Sequence, residues 1–348
     1  MTNTQICSPS STLIAIPESP TRLSQMRIRH PRVMDMKDEL STLIYEGSQD
    51  SILLVCGPTG AGKTTLARIT VESAIQESKY LMDRDAGIIP AIYVEAPSSG
   101  ETEFSWRLFY HRILAELEGS FSMPKTAYGV DITTNQMVKP GGSSRNTLSA
   151  LRLAVGRAMR ERKVQFLVID EAAHIIRQTR QMQRQLDTLK SIANECEAQI
   201  LLIGSYDLYQ LVSLSGQLAR RTHVLHFERY RQDRPEDENA FHACVKKFQS
   251  QLPNLWGEQL MRHAYALQEN VLGCVGTLNT VLTRAAVLAG KDGKWSVEAL
   301  RRAFLTDAQR DRILTEILEG ETAINPGLTR KMKQFPQKAS RVPARSAA

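Results

Sequence analysis

The chain has 348 residues, of which 42% are hydrophobic, and a formal net charge of +7. This length and composition are those of a globular protein with one large or two modest domains. No apolar run reaches membrane-spanning length, and the N-terminus lacks a basic region followed by an apolar core, so we expect a cytoplasmic protein with no membrane association. Five scattered cysteines without zinc or redox spacing predict reduced thiols.

The first predicted elements are an arm and a helix. Residues 1–26 are rich in Ser, Thr and Pro and predict a mobile arm. A helix is predicted to begin after Pro31, because proline suits the first helical position. It leads to an apolar run at 52–56 that predicts a buried strand.

The turn after this strand matches the phosphate-loop pattern G-x-x-x-x-G-K-[ST]. It lies between the predicted strand and a predicted helix at 64–79, a context that disfavours the alternative of a chance match in a loop. Lys63 is expected to reach the β- and γ-phosphates of ATP, and the Thr64 hydroxyl to ligate Mg²⁺. The predicted nucleotide-binding residues are Gly57, Pro58, Thr59, Gly60, Ala61, Gly62, Lys63, Thr64 and Thr65.

Strands and helices alternate through the next part of the chain, which predicts an α/β fold with a parallel sheet covered on both faces. The polar, turn-rich stretch 120–144 predicts a functional or disordered loop. The further strands are predicted at 91–95, 164–169, 199–204 and 223–227. The helices between them are predicted at 101–118, 145–162, 175–196 and 207–219.

Two adjacent acids, Asp170 and Glu171, follow the apolar strand at 164–169. A carboxylate at the C-terminal end of a parallel strand is expected beside the phosphate loop. Asp170 is predicted to hold Mg²⁺, directly or through water, and Glu171 to polarise the attacking water. The alternative is a solvated acidic pair that caps the next helix.

After Tyr230 the strand patterns stop. Helices predicted at 235–250, 255–268, 275–289 and 296–318 indicate a second, all-helical domain. Residues 322–348 carry six basic residues and no acid, which leaves 7 − 6 = +1 for the rest of the chain. This tail suits an acidic partner such as nucleic acid, or it keeps the chain soluble. The predicted divisions are a 1–26 arm, a 27–230 nucleotide-binding domain, a 231–318 helical lid and a 319–348 basic tail.

Several motifs in this order resemble the AAA+ ATPases: the phosphate loop or Walker A, the Walker B stretch IDEAAH, the strand ending LLIGS, then QLARRTHVLHFERY and a helical lid. Within that class, EAPSSGETEFSWRLFYHRIL and the arginine pair before the last strand are similar to the transposition regulators called TnsC or TniB. The resemblance covers roughly residues 27–310. It implies an AAA+ P-loop fold with a five-stranded parallel sheet and a small helical lid.

The resemblance also implies roles for individual residues. Ser205 occupies the sensor 1 position, where it would orient water or the γ-phosphate, although a simple turn serine is the alternative. Arg220 or Arg221 would reach the ATP of a neighbouring subunit as an arginine finger, whereas the alternative is a favourable pair of cations at a helix C-terminus. The chain departs from the family at the sensor 2 position, where AAA+ lids usually have an arginine after a glycine at the start of a helix. In the corresponding segment, GCVGTLNTVLTRA, the first arginine is Arg284, about three helical turns from the start.

Family members assemble on DNA, and two helices offer candidate contacts. Helical periodicity places basic residues of 145–163 on a different face from Leu148, Leu151 and Val155. Such side chains would bind DNA phosphates without recognising the base sequence. The alternative is that they form an ordinary solvent-exposed face of the helix. The candidates are Arg145, Arg152, Arg160, Lys163, Arg177, Arg180 and Arg184. The aromatic residues Trp106, Phe109 and Tyr110 could stack on bases, but core packing is the favoured interpretation.

The implied function is an ATPase, stimulated by DNA, that uses ATP and Mg²⁺ to form a homo-oligomer on double-stranded target DNA. The homo-oligomer would be either a ring of six or seven subunits or a helical filament. It would link a TniQ- or TnsD-like target-selecting protein to the transposase. The catalytic candidates are Lys63, Glu171, Ser205, Arg220 and Arg221. A DNA-replication ATPase, such as a helicase loader or initiator, is the first alternative, and a P-loop kinase of a small metabolite is the second.

Overall fold

The structure is a computed structural model that describes residues 23–24, 26–44, 52–98, 104–118, 129–130, 137–138, 147–176, 182–213, 222–292 and 295–324. Most of the predicted arm, the loop at 120–144 and the basic tail lie outside these residues. So do five of the candidate functional residues, namely Arg145, Arg177, Arg180, Arg220 and Arg221.

A five-stranded parallel sheet forms the centre of the first part of the chain, as the sequence predicted. Its strands are β1 (Ile52–Cys56), β2 (Ala91–Glu95), β5 (Phe166–Asp170), β6 (Gln199–Gly204) and β7 (Thr222–His226), in the order β2-β5-β6-β1-β7. The three central strands are almost fully buried on both faces, which explains their continuous apolar sequences. A separate antiparallel pair, β3 (Gly129–Val130) and β4 (Met137–Val138), lies within the predicted loop.

Helices cover both faces of the sheet. On one face, α1 (Pro31–Leu43) packs against α2 (Lys63–Glu77), which in turn lies on β2, β5 and β6. The other face carries α4 (Trp106–Glu118), α5 (Leu148–Glu161) and α7 (Met182–Cys196). The short helices are α3 (Lys79–Arg84) and α6 (Ala173–Ile176), and a 3₁₀ turn at Tyr206–Tyr209 precedes α8 (Gln210–Ser213). The helix predicted at 207–219 therefore begins as a 3₁₀ turn, and its residues 214–219 lie outside the described residues, as do residues 177–181 of the helix predicted at 175–196.

The part of the chain after Tyr230 is helical and has its own core, as predicted. Its helices are α9 (Pro235–Gln249), α10 (Pro253–Trp256), α11 (Gln259–Arg262), α12 (Ala264–Asn270), α13 (Val275–Asp292), α14 (Val297–Ala303) and α15 (Asp307–Ile324). The predicted helix at 255–268 is instead three short helices, because Gly257 turns the backbone at φ 49° and His263 leaves the helical region. The predicted helix at 296–318 breaks after Ala303, where the Asn270 side chain bonds both the N–H and the carbonyl of Leu305.

Two segments at the predicted boundaries pack against the folded core. Leu23 and Met26, which the sequence placed in the arm, contact the helical core, and Leu23 is fully buried. Helix α15 extends six residues beyond the predicted lid boundary and packs on the 3₁₀ turn at Tyr206. Arg229 and Glu321 form an ion pair of 2.9 Å at this contact.

Among the described residues, no single helix has the length and apolar composition of a membrane span. The bent pair Ala264–Asn270 and Val275–Gly290, at 114°, meets those criteria only in combination. Four of the five cysteines, Cys56, Cys196, Cys244 and Cys274, are buried and free, while Cys7 lies outside the described residues.

Candidate functional site

The phosphate loop connects the buried strand β1 to helix α2, in the order that the motif requires. The residue before the helix, Gly62, has φ 117°, a conformation that L side chains rarely adopt. Helix α2 begins at Lys63, so its first N–H groups have no partner within the helix and face the loop. This arrangement can bind an anion through backbone donors and the helix dipole.

The Lys63 side chain is buried within the loop. Its Nζ donates hydrogen bonds to the carbonyls of Gly57, at 3.0 Å, and Pro58, at 2.8 Å. Burial lowers the pKa of the Lys63 ammonium, and the nearby carboxylates of Glu171 and Asp170 act in the opposite direction. The ammonium is therefore held by two carbonyls of the loop, with the predicted Walker B acids near enough to affect its pKa.

Asp170 ends strand β5 and is 2% exposed. Its Oδ1 accepts a hydrogen bond from the N–H of Glu171 at 2.9 Å, and its Oδ2 accepts one from the hydroxyl of Tyr93 at 3.0 Å. The carboxylate is thus held at the carboxyl edge of the sheet, on the side where ligands bind in open α/β folds.

Glu171 is exposed and adopts a left-handed backbone with φ 51°, which is uncommon for residues other than glycine. The next residue, Ala172, contacts the neighbouring strand β6, because its N–H donates a hydrogen bond to the carbonyl of Ile203 at 3.0 Å. The turn directs the chain away from β5 at Glu171.

Ser205 follows strand β6, which lies between β5 and β1 in the sheet. The residue before it, Gly204, is paired with Cys56, so the predicted sensor serine lies between the phosphate loop and Asp170 at one edge of the sheet. The Ser205 Oγ and Asp207 Oδ2 are 3.2 Å apart, a hydrogen bond that the hydroxyl donates. The described residues therefore bring Lys63, Asp170, Glu171 and Ser205 together.

The helical part of the chain contacts the phosphate loop directly. The carbonyl of Gly60 accepts hydrogen bonds from the N–H groups of Gly276, at 2.6 Å, and Thr277, at 3.2 Å, which are in the first turn of α13. Arg284, farther along this helix, donates to the carbonyl of Ala303 within the lid instead. The lid therefore contacts the loop through the backbone N–H groups of Gly276 and Thr277.

Two further residues near the loop were not identified from the sequence. Tyr93 lies beside Asp170, and only the alternation of strand β2, which puts residues 93 and 95 on one face, could have indicated it. His30 is buried before α1, and its Nδ1 lies 2.8 Å from the Tyr230 hydroxyl. A lone histidine before a proline carries no such signal.

The candidate DNA contacts that the structure describes mostly have partners within the chain. Arg152 is half-buried and bonds Ser191 and Glu195 of α7, and Arg160 donates to the Glu195 carbonyl. Lys163 lies 3.7 Å from Asp85. The contacts of Arg152 and Arg160 join α5 to α7, so they have a structural role whether or not they also bind DNA.

The aromatic residues of α4 pack in the core, as the favoured interpretation held. Phe109 and Tyr110 are 0% and 2% exposed, respectively. The Trp106 indole N–H donates to the Gln185 side chain, and its ring packs edge-on against Phe109. Base stacking by these rings would require them to leave the core.

The residues present fit ATP and Mg²⁺. The backbone donors of the loop and the Lys63 ammonium suit phosphate oxygens, and the exposed Thr64 and the carboxylate of Asp170 are oxygen ligands of the kind that Mg²⁺ prefers. No group of three or more His, Cys, Asp or Glu residues in the described ranges could hold a metal ion. Mg²⁺ is commonly bound through one or two carboxylates together with substrate phosphates, and Thr64 and Asp170 would supply the protein ligands.

Part of the chain matches a known protein family. Residues 46–212 match the family described as an AAA domain. No curated protein sequence matches the chain.

Solved structures with a similar fold include three archaeal proteins. ORC2 of Aeropyrum pernix, solved as ADPNP and ADP complexes, has 15% identity and a TM-score of 0.52, with 81% of this chain and 70% of that one covered. A Walker-type ATPase of Pyrococcus abyssi has 14% identity and a TM-score of 0.52, with 85% and 79% covered. ORC1 of Aeropyrum pernix, solved in complex with DNA, has 16% identity and a TM-score of 0.54, with 78% and 63% covered. The fold is that of the AAA+ P-loop ATPases, with a helical C-terminal region.

Proposed function

We propose that this chain hydrolyses ATP as an AAA+ ATPase. The observation that carries the proposal is the convergence of Lys63, Asp170, Glu171 and Ser205 at one edge of the parallel sheet, where the first turn of α13 bonds the phosphate loop. A structural loop would not require a buried ammonium beside two carboxylates. Burial without compensation is costly for such groups, so this arrangement is typical of a site with a function.

In this proposal the loop N–H groups and Lys63 bind the phosphates, and Thr64 and Asp170 hold the metal. Bound Mg²⁺ would neutralise charge that develops on the phosphate oxygens. Glu171 orients and polarises the attacking water, and Ser205 contacts the γ-phosphate or that water. Arg220 or Arg221 of one subunit completes the site of its neighbour, because an arginine finger stabilises the charge of the transition state.

We further propose that ATP drives assembly of the chain on double-stranded DNA, where it links a target-selecting protein to a transposase. This part rests on the sequence resemblance to the TnsC and TniB regulators and on the basic tail at 322–348. ORC1, which has a similar fold, was solved with DNA. Hydrolysis would then release the assembly or permit insertion.

The substitution Glu171→Gln tests the hydrolytic role. It removes the polarising carboxylate and leaves the loop and Asp170 unchanged, so ATP binding should persist while turnover falls by roughly 10²–10⁴-fold. ATP affinity and steady-state phosphate release would be measured on the same preparations, with and without duplex DNA. Glu197→Gln is the matched control, because Glu197 is also an exposed glutamate with a left-handed backbone, at φ 53°.

Normal turnover by Glu171→Gln would contradict the role given to this residue. For the wider proposal, electron microscopy with ATP, Mg²⁺ and duplex DNA should show oligomers on the DNA that persist for Glu171→Gln. Failure to assemble, or ATPase activity that DNA does not change, would contradict the DNA-dependent part while leaving ATP hydrolysis in place.

A further inference from the structure

We propose that Tyr93 is a positioning residue for the metal-binding carboxylate, and that Arg68 holds Tyr93 in place. The inference rests on the proposed function of Asp170, and deepens it by naming what orients this side chain. The family comparison and the motifs do not point to either residue, since both lie outside the phosphate loop and the Walker B stretch.

The sheet register places Tyr93 where it can reach the carboxylate. On β2, Tyr93 is paired with Val168 and Glu95 is paired with Asp170. Side chains two residues apart point to the same face of a sheet, so Tyr93 and Asp170 share the face that α2 covers. The hydroxyl of Tyr93 then lies 3.0 Å from Oδ2 of Asp170.

Together, two hydrogen bonds fix the rotation of the Asp170 carboxylate. The N–H of Glu171 occupies one oxygen at 2.9 Å, and the Tyr93 hydroxyl occupies the other. An ionised carboxylate has about four lone-pair sites, so lone pairs remain on both oxygens for a metal or its water ligands. A tyrosine hydroxyl carries its proton at neutral pH, so Tyr93 is the donor in this hydrogen bond.

Arg68 connects this hydrogen bond to the helix of the phosphate loop. Its guanidinium lies over the Tyr93 ring, 4.5 Å from the ring centroid. A guanidinium at this distance is attracted to the face of a tyrosine ring, and the buried Nε of Arg68 has no hydrogen-bond partner among the described residues. Arg68 follows Thr64 by four residues on α2, and residues four apart lie on the same side of a helix. The helix that carries Thr64 therefore also fixes the residue that orients Asp170.

Outer hydrogen bonds of this kind tune metal sites, and their loss typically lowers metal affinity by about 10–100-fold. The test is Tyr93→Phe, which removes one hydroxyl and keeps the ring under Arg68. A fluorescent ATP analogue would be titrated into the full chain in EDTA and in saturating Mg²⁺, and the ratio of the two dissociation constants is the metal gain. Tyr93→Phe should keep the affinity in EDTA and lower the metal gain by about tenfold.

The matched control is Tyr80→Phe, because Tyr80 also lies under an arginine, Arg84 at 5.2 Å, but on the exposed helix α3. This variant should keep the wild-type metal gain. Arg68→Met, which removes the charge over the ring, should lower the metal gain in the same direction as Tyr93→Phe.

Three results would overturn the inference. A metal gain in Tyr93→Phe equal to that of the wild type would remove Tyr93 from its role and leave the proposed ATPase intact. An equal loss of affinity in EDTA and in Mg²⁺ would show that the hydroxyl only supports the fold. Failure of the wild-type chain to bind the nucleotide at all would overturn the proposed function together with this inference.

Discussion

At the scale of single residues, His30 shows that the segment before α1 packs against the phosphate loop. Its ring packs edge-on against Phe227 and Tyr230, and its Nδ1 lies 2.8 Å from the Tyr230 hydroxyl. A Cβ placed on Gly62 of the phosphate loop would lie 3.3 Å from its Nε2. Burial, together with the positive charges of Arg32 and Lys247, lowers the pKa of His30 to about 4.

This depressed pKa predicts a loss of stability in mild acid. The folded chain keeps His30 neutral down to about pH 4, whereas the unfolded chain protonates it near pH 6.5. Unfolding therefore takes up a proton between these values, and the free energy of unfolding should fall as the pH drops from 6.5 to 4, by about 3 kcal/mol at most.

Urea unfolding at a series of pH values would measure this contribution. His30→Gln has no imidazole to protonate, so its free energy of unfolding should depend less steeply on pH in this window than that of the wild type. His111→Gln, which removes an exposed imidazole from α4, is the matched control. Equal slopes for His30→Gln and the wild type would show that His30 is not the group responsible.

At the scale of elements, helix α15 returns from the lid to the edge of the sheet where the candidate site lies. It passes so close to the 3₁₀ turn after Ser205 that a Cβ on Gly320 would lie 2.1 Å from Cγ of Tyr206. The Tyr206 hydroxyl is itself hydrogen-bonded with Nε2 of His226, on β7, at 3.0 Å. The ring is thus held between α15 and the sheet.

Gly320→Ala should therefore destabilise the protein although alanine favours helix. The added methyl group forces the Tyr206 ring to shift, at a cost of about 1–3 kcal/mol that exceeds the gain of about 1 kcal/mol or less in helix propensity. Gly290→Ala in α13 is the matched control, since a Cβ there meets nothing within 4 Å, and it should be neutral or stabilising. Thermal unfolding of the two variants would decide, and equal melting temperatures would mean that α15 does not pack on Tyr206.

Elements with continuous apolar sequences were predictable, while contacts between distant segments were not. The strands 91–95 and 199–204 have the bounds that the sequence predicted, because hydrophobic runs that end in a polar or glycine residue have few other interpretations. The breaks at Gly257 and at Leu305 depend on a backbone angle and on the Asn270 side chain, which periodicity does not register. The same holds for the candidate site. The phosphate loop, Asp170 and Glu171 belong to local sequence motifs and could be predicted, whereas Tyr93, Arg68 and His30 lie near the site only through contacts between distant segments.

At the scale of the whole molecule, ion pairs tie the first turn of α1 to the junction between the sheet and the helical region. Arg32 bonds Glu228, after β7, at 3.1 Å, and it also bonds Asp237 of α9. Arg234 reaches the same Glu228 oxygen at 2.8 Å. Since α13 also bonds the phosphate loop, the helical region contacts both α1 and that loop. Such contacts would let bound nucleotide influence a neighbouring subunit in the proposed assembly.

In the proposed assembly, each ATP site is completed by an arginine of a neighbouring subunit on DNA. The double variant Arg220→Ala with Arg221→Ala should bind ATP through its intact phosphate loop and lose hydrolysis, since a finger contributes roughly 10³–10⁵ to the rate in well-studied systems. Lys63→Ala should lack a working phosphate loop and keep both arginines.

The most direct measurement is the ATPase activity of a mixture of these two proteins on long duplex DNA, with each protein alone as the control. Lys63→Ala can supply a finger to the intact site of the double variant, so we expect the mixture to recover part of the wild-type activity while each protein alone has none. If both proteins are folded and assemble together on DNA but the mixture remains inactive, the arginines do not act across an interface, and the proposed sharing of ATP sites between subunits is wrong.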